Sequence, residues 1–490
     1  MGRVWVLVGV VGTIAACSPN VAEIGDATSS PIDGSAADPN DGAKSGSRLK
    51  LTWYQFTDGT KQWSGMYDAQ NKEMCSPYYG AWPDGNVYCV PQTGGSLVYT
   101  DATCTAKALD YYVDSTCPQD PSRYHLEYAD SGCTSVPAHL YLRGVKIAPA
   151  TTYTKLSNGA CSANGAPQAY DAIYSLGSEV ATSQLVQLSL SVPEGSGRVG
   201  QRYYESSDGM RFPWTLHDNT LATDCYTNYS TSTSTTARCV PTDSGFAYYS
   251  HDAACTQREL GVQATCEQPS YAYPESFTRC PYEDAPYYTL NAVGSSPLYE
   301  ATGTSCIAIT PSSGFSYYTM GSQVDIPSLT RAVDTSTTHR VQQAHFTTPE
   351  GLRYRDPYSL YDSQMATECY PSTLPDGSIR CIADGGYVST FFANAGCTTP
   401  LDVVEVYRGP SGCMAPVPPK YARKSIAPEP GTCSYSTEIH EVGAIRTGAV
   451  YAGSPGSCNL YTTFEGTLYS VGPVVPLTDF VGASIAIDTH

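Results

Sequence analysis

The residues best able to move a proton near neutral pH are the eight histidines, at 125, 139, 217, 251, 339, 345, 440 and 490. None lies in His-Glu-x-x-His, where two imidazoles one helical turn apart would grip zinc, and His440-Glu441 lacks the second histidine. There is no Gly-x-Ser-x-Gly elbow for a nucleophilic serine and no Gly-x-x-x-x-Gly-Lys-Ser/Thr loop for phosphates. Nor are any two cysteines separated by the two to four residues of a zinc site, the nearest pair after Cys17 being Cys255 and Cys266. No catalytic residue, metal or cofactor follows from a motif, and the expectation leans away from an enzyme. A net charge of −19 with no offsetting basic face argues against nucleic acid, whose phosphates would be repelled.

The cysteines point to a compartment instead. Nineteen reduced thiols are too many for a reducing environment, and setting Cys17 aside leaves an even eighteen, the number that nine disulfides would use. They fall into three sets of six: Cys75, Cys89, Cys104, Cys117, Cys133, Cys161; Cys225, Cys239, Cys255, Cys266, Cys280, Cys306; and Cys369, Cys381, Cys397, Cys413, Cys433, Cys458. Of the fifteen pairings that six cysteines allow, the expectation is first with second, third with fourth and fifth with sixth.

Residue identities track this spacing. Asp68, Asp218 and Asp362 each precede the first cysteine of a set by seven residues. Cys89-Val90-Pro91 matches Cys239-Val240-Pro241, and Asp101-Ala102-Thr103-Cys104-Thr105 matches Asp252-Ala253-Ala254-Cys255-Thr256 and Asn394-Ala395-Gly396-Cys397-Thr398. Tyr174-Ser175-Leu176-Gly177 recurs as Tyr318-Thr319-Met320-Gly321 and Tyr469-Ser470-Val471-Gly472. The chain is therefore read as three copies of one unit, at 48–195, 196–334 and 335–490. Within a copy the pattern is β: alternating runs such as Arg48 to Tyr54 are separated by Asp58-Gly59, Asp84-Gly85, Asp208-Gly209 and Asp376-Gly377. Forty-three glycines and thirty-five prolines would interrupt helices. The expected fold is all-β, with each copy forming two small antiparallel sheets and the six together a six-bladed propeller; three separate β-domains fit the same pattern.

The N-terminus is read from Met1-Gly2-Arg3 and the apolar run Val4 to Ala16, too short to span a bilayer core of about 30 Å, as a signal peptide over residues 1–16. Ile14-Ala15-Ala16-Cys17 resembles the lipobox of bacterial lipoproteins, which implies a lipid on Cys17. Ser18 at the next position implies sorting to the outer membrane, facing periplasm or cell surface. Residues 17–47, rich in Ser, Asp, Gly, Ala and Pro without periodic apolar residues, read as a disordered tether. The lipobox, the acidic tether and the Cys-Val-Pro and Asp-Ala-x-Cys-Thr signatures together resemble cysteine-rich surface lipoproteins of myxobacteria, and this likeness brings no catalytic residue with it.

A residue repeated in every copy more simply serves each copy's fold, so the three aspartates are expected as turn or strand-end acceptors. Binding is expected where the copies differ, in the segments between the fourth and fifth cysteines: Tyr124, His125 and Tyr128; Tyr271, Tyr273 and Phe277; and Lys420, Tyr421, Arg423 and Lys424. The thirty-nine tyrosines favour a surface protein that binds a glycan or an envelope protein, or has a structural role. The alternative is a hydrolase or lyase acting on polysaccharide, resting on analogy with propeller enzymes.

Overall fold

Each repeat opens with a hairpin whose tip needs a residue at positive φ, and a glycine stands there every time: Gly59 (φ 96), Gly209 (φ 92) and Gly351 (φ 92). In the computed structural model these hairpins are Leu49–Phe56 with Lys61–Asp68, Val199–Ser206 with Arg211–Asp218, and Val341–Thr347 with Arg353–Asp362. The structure describes residues 42–488 apart from 78–80, 113–120, 131–134, 169–170, 229–234, 248, 264–265, 267, 275–284, 293–296, 303–304, 313, 336–337, 375, 408–417, 427–435 and 462–465. Cys17 and most of the expected tether lie outside that range. Its described end does not hang free: Lys44 exchanges backbone hydrogen bonds with Arg211 at 2.8 and 2.7 Å, and the Ser45 hydroxyl donates to Asp488.

Two further strands extend each hairpin into a four-stranded meander. A fifth, Val186–Leu190, Ser328–Val333 or Gly482–Ile487, joins one meander to the next, so that fifteen strands form one closed ring. Every neighbouring pair in the ring is antiparallel. An odd number of straight strands cannot alternate in direction around a closed ring, so closure requires strands that bend between sheets. The joining strand shows how: Val186 to Leu188 pairs with Val87–Pro91 of the first repeat, and Leu188 to Leu190 pairs with Val199–Ser206 of the second.

The rest of each repeat forms a satellite sheet of seven or eight strands. In each, a parallel pairing joins the segment entering the sheet to the strand after the fourth cysteine: Thr93 with Tyr124, Ser244–Ala247 with Tyr271–Pro274, and Gly386 with Ala422. The all-β class holds, and no described helix is long and apolar enough to cross a membrane. The six-bladed propeller does not form. Each repeat does make two structures, but one of them is a third of a shared ring, so the repeats are not separately closed domains either.

The cores explain the interlock. Leu49, Leu51, Met66, Cys75 and Cys89 of the first meander pack with Tyr204, Met210 and Phe212 from the hairpin of the second repeat. Val199, Leu216, Cys225 and Cys239 pack with Phe346 and Tyr354 of the third, and Val341, Leu360, Cys369 and Cys381 with Phe56 of the first. Each repeat thus plugs the core of the one before it, cyclically. A buried phenylalanine in such a plug is worth about 3 to 5 kcal/mol when truncated to alanine.

Disulfides follow the same division. First and second cysteines pair within the ring, as Cys75–Cys89, Cys225–Cys239 and Cys369–Cys381. Third and sixth pair within each satellite, as Cys104–Cys161, Cys255–Cys306 and Cys397–Cys458. The adjacent pairing of third with fourth and fifth with sixth is thereby corrected. The satellite sheet returns its sixth cysteine to the loop of its third, which spacing along the chain does not reveal. Cys266 is also disulfide-bonded, whereas Cys117, Cys133, Cys280, Cys413 and Cys433 lie outside the described residues.

Candidate functional site

The three repeated aspartates are buried and each is gripped by an arginine about twenty residues earlier. Arg48 donates to Asp68 from Nε at 2.9 Å and Nη2 at 2.6 Å, Arg198 to Asp218 at 3.1 and 2.9 Å, and Arg340 to Asp362 at 2.8 and 2.7 Å. Each aspartate also accepts two amides of the turn that follows, from Gln70 and Asn71, Thr220 and Leu221, or Gln364 and Met365. Each arginine then donates to a carbonyl just ahead of a joining strand, at Gln184, Asp325 or Asp479. These latches tie turn, meander and joining strand together. The aspartates are acceptors at strand ends, as their repetition implied. Their partners were overlooked, although Arg48, Arg198 and Arg340 are themselves a triple match in the sequence.

The Asp-x-x-Cys motif is structural too. Asp101 accepts hydrogen bonds from the amides of Thr103, Thr105 and Ala106, Asp252 from those of Ala254, Thr256 and Gln257, and Asn394 takes the same place in the third repeat. The loop holds Cys104, Cys255 and Cys397 at φ of 52, 55 and 50, a conformation that side chains adopt only when their surroundings impose it. The late glycine of Tyr-Ser-Leu-Gly lies where strands cross closely: a Cβ on Gly177 would be 2.5 Å from the Leu142 carbonyl oxygen, and one on Gly472 would be 2.7 Å from that of Glu441. One run, Gly195-Ser196-Gly197-Arg198-Val199-Gly200, does spell Gly-x-Gly-x-x-Gly. It enters the strand Val199–Ser206 rather than a helix, so no helix N-terminus is present to receive a pyrophosphate.

The segments expected as variable loops are largely strands: Tyr124–Asp130, Tyr271–Pro274 and Tyr421–Ile426. Tyr124, Tyr271 and Tyr421 occupy equivalent buried positions at the starts of these strands. The Tyr271 hydroxyl donates to the Leu221 carbonyl, and Lys420 donates to that of Met365, so both hold satellite against ring. His125 is buried against the Gly94 carbonyl, at 3.1 Å. Tyr273 packs on Tyr287, Arg423 lies over Tyr370, and Lys424 is paired with Asp402 at 2.6 Å. Burial lowers the Arg423 guanidinium to about 10. Tyr128 is exposed, and Phe277 lies outside the described residues.

What differs between repeats is a face of the second satellite. Tyr249 is directly opposite Glu259 on one side and Glu300 on the other, so the three side chains form a row on one face. The corresponding pairs in the other satellites are Val98 with Ala108 and Phe391 with Leu401. Tyr317 meets Tyr249 edge to face at 5.5 Å across Gly261, where a Cβ would come within 2.8 Å of the Tyr249 ring, and Phe315 stacks on Tyr317 at 6.5 Å. Beneath them Glu259 is almost wholly buried and ion-paired with His251 at 2.9 Å. Burial raises its pKa against the pull of His251. Among the described residues no group of three His, Cys, Asp or Glu is placed to hold a metal ion.

A family profile matches residues 28–480, reaching into all three repeats. The chain belongs to DUF7481, a family of unknown function. No curated protein and no solved structure matches it. For this DUF7481 chain the functional reading therefore rests on chemistry alone. Sequence reasoning missed the Tyr249, Glu259 and Glu300 row because its members come from three separate strands. The available signal was a glutamate in the second repeat where the other two carry Ala108 and Leu401.

Proposed function

We propose that this protein is a binding protein of the cell envelope, anchored by lipid at Cys17, whose contact surface is the aromatic face of the second satellite. The observation that carries the proposal is the cluster of Tyr249, Tyr317 and Phe315 beside Glu300, found among the described residues in only the second of the three satellite sheets. Flat rings with polar tips suit the faces of sugars and the surfaces of proteins. The disulfides are consistent with an oxidising, extracytoplasmic environment. Screening the full chain against glycans and purified envelope proteins should find a ligand whose binding is lost in a Phe315→Ala, Tyr317→Ala variant that melts normally. Failure to bind anything, or binding that the variant retains in full, overturns the assignment. The hydrolase reading is weaker at this face, because Glu259 is buried beneath the rings, where inverting or retaining glycosidases use two carboxyl groups that reach the substrate.

A further inference from the structure

Two grooves lie at equivalent places in the ring. One, of 380 Å³, lies between the first repeat's Arg48 and the second repeat's hairpin tip, Ser207 and Asp208. The other, of 470 Å³, lies between the third repeat's Arg340 and the first repeat's tip, Thr57 and Asp58. Both are within the usual size of small-ligand sites. Their polar capacity differs. In the larger groove Arg340 donates from Nη2 to the carbonyl of Asp479, and Arg380 donates from Nη1 to that of the next residue, Phe480. Consecutive carbonyls therefore bracket two guanidinium groups. Arg340 uses Nε and Nη2 on Asp362 and the Asp479 carbonyl, which leaves its Nη1, while Arg380 keeps Nε and Nη2.

The acids nearby are already engaged or stand at the rim. Asp58 accepts the amides of Thr60 and Val341, Asp362 holds Arg340, and Asp376 accepts from Ser378 while feeling the charge of Arg380. The exposed Asp479 carboxylate lies at the rim. The hydroxyls of Thr57 and Thr478 line the groove beside these guanidinium donors. At the second junction the Nη1 of Arg198, the equivalent of the donor that Arg340 keeps, is paired with the Asp325 carboxylate at 2.6 Å.

We infer that the groove between the third and first repeats binds an acidic saccharide, taking its carboxylate between Arg340 and Arg380 and its hydroxyls on Thr57 and Thr478. A planar carboxylate suits guanidinium donors, and the threonine hydroxyls can exchange hydrogen bonds with those of a sugar. This site is separate from the aromatic face of the second satellite.

Calorimetric titration of the full chain with oligogalacturonate and with its neutral methyl ester tests it. The acid should bind at least tenfold more tightly than the ester, and Arg380→Gln should erase that difference. Thr478→Asp, an exposed substitution that adds charge at the rim, should weaken acid binding at least fivefold without moving the melting temperature. The Phe315→Ala, Tyr317→Ala variant should bind oligogalacturonate as the wild type does, which separates this site from the aromatic face. Equal affinity for acid and ester, no binding of either, or undiminished binding by both groove variants overturns the inference.

Discussion

The ring and the satellites are made by the same three repeats under opposite constraints. At each of the three junctions of the ring, a hairpin from one repeat must fit the core of another, so residues there recur: the Arg–Asp latch, the hairpin glycine and the first two cysteines. A satellite is crosslinked on itself by its own third and sixth cysteines. Its sheet is closed within one repeat and carries Ala108, Glu259 or Leu401 at one equivalent position. Closure by cyclic exchange conserves geometry, whereas closure within one repeat leaves surfaces free to differ.

If that contrast is right, the largest effects belong to the latches. Asp362→Ala strands a partly buried guanidinium and two turn amides, and should cost about 3 to 5 kcal/mol in urea unfolding, with the whole ring lost in one transition. A cost under about 1 kcal/mol would mean that the latch is not what holds the junction. Removing a satellite bond should be comparable in size but local. Replacing Cys255 and Cys306 by alanine opens a separation of 51 residues, worth about 4 kcal/mol in the chain-entropy account. Hydrogen exchange should then rise in residues 244–324 and stay unchanged in the ring, and spread into the ring would erase the distinction between the two regions.

Smaller effects compare the junctions with one another. Asp58 accepts the amide of Val341 at 2.7 Å, and Asp208 accepts those of Arg48 and Leu49 at 2.6 and 2.8 Å. Glu350, at the third tip, packs over Gly197 instead, where a Cβ would lie 2.8 Å from its own. Asp58→Ala and Asp208→Ala should each cost about 1 to 2 kcal/mol, and Glu350→Ala less, by denaturant midpoint.

The subtlest test uses pH. At Asp208 burial is outweighed by hydrogen bonds from the Ser206 hydroxyl and the Leu49 and Arg48 amides, so its pKa is held below 3.8. Its contribution is present above pH 3.8 and is lost as pH falls through the lower folded value. Glu259 is held above 4.5 by burial, so its contribution is present below pH 4.5 and is lost as pH rises through the higher folded value. Glu259→Gln should therefore raise the melting temperature at pH 7 and leave it unchanged near pH 4, whereas Asp208→Asn should lower it at pH 7 by an amount that shrinks toward pH 3. The same trend in both variants would refute the assigned environments.

Particular residues show how much could be read beforehand. The Asp-Gly hairpin tips at Gly59, Gly85, Gly209 and Gly377 all have positive φ, because the preference for glycine there is local sterics. The all-β class and the structural role of the repeated aspartates were legible for a related reason: each is a property of a residue and its neighbours in the chain, copied three times. The candidate binding residues were less legible. Tyr124, Tyr271 and Tyr421 differ from their surroundings in composition, but whether such a ring faces solvent or core depends on what packs over it.

The amino-acid sequence alone determined the oxidised β-rich repeat and the turns within it, because turn conformation, strand alternation and cysteine number follow from short-range chemistry. Only the tertiary structure decided that three repeats share one ring, that the third cysteine meets the sixth, and that Arg340 and Arg380 line one groove. Those outcomes depend on which distant segments bury the same apolar surface. An odd ring of fifteen strands can close only by bending strands from one sheet into the next, a condition imposed by the whole ring and not by any single repeat.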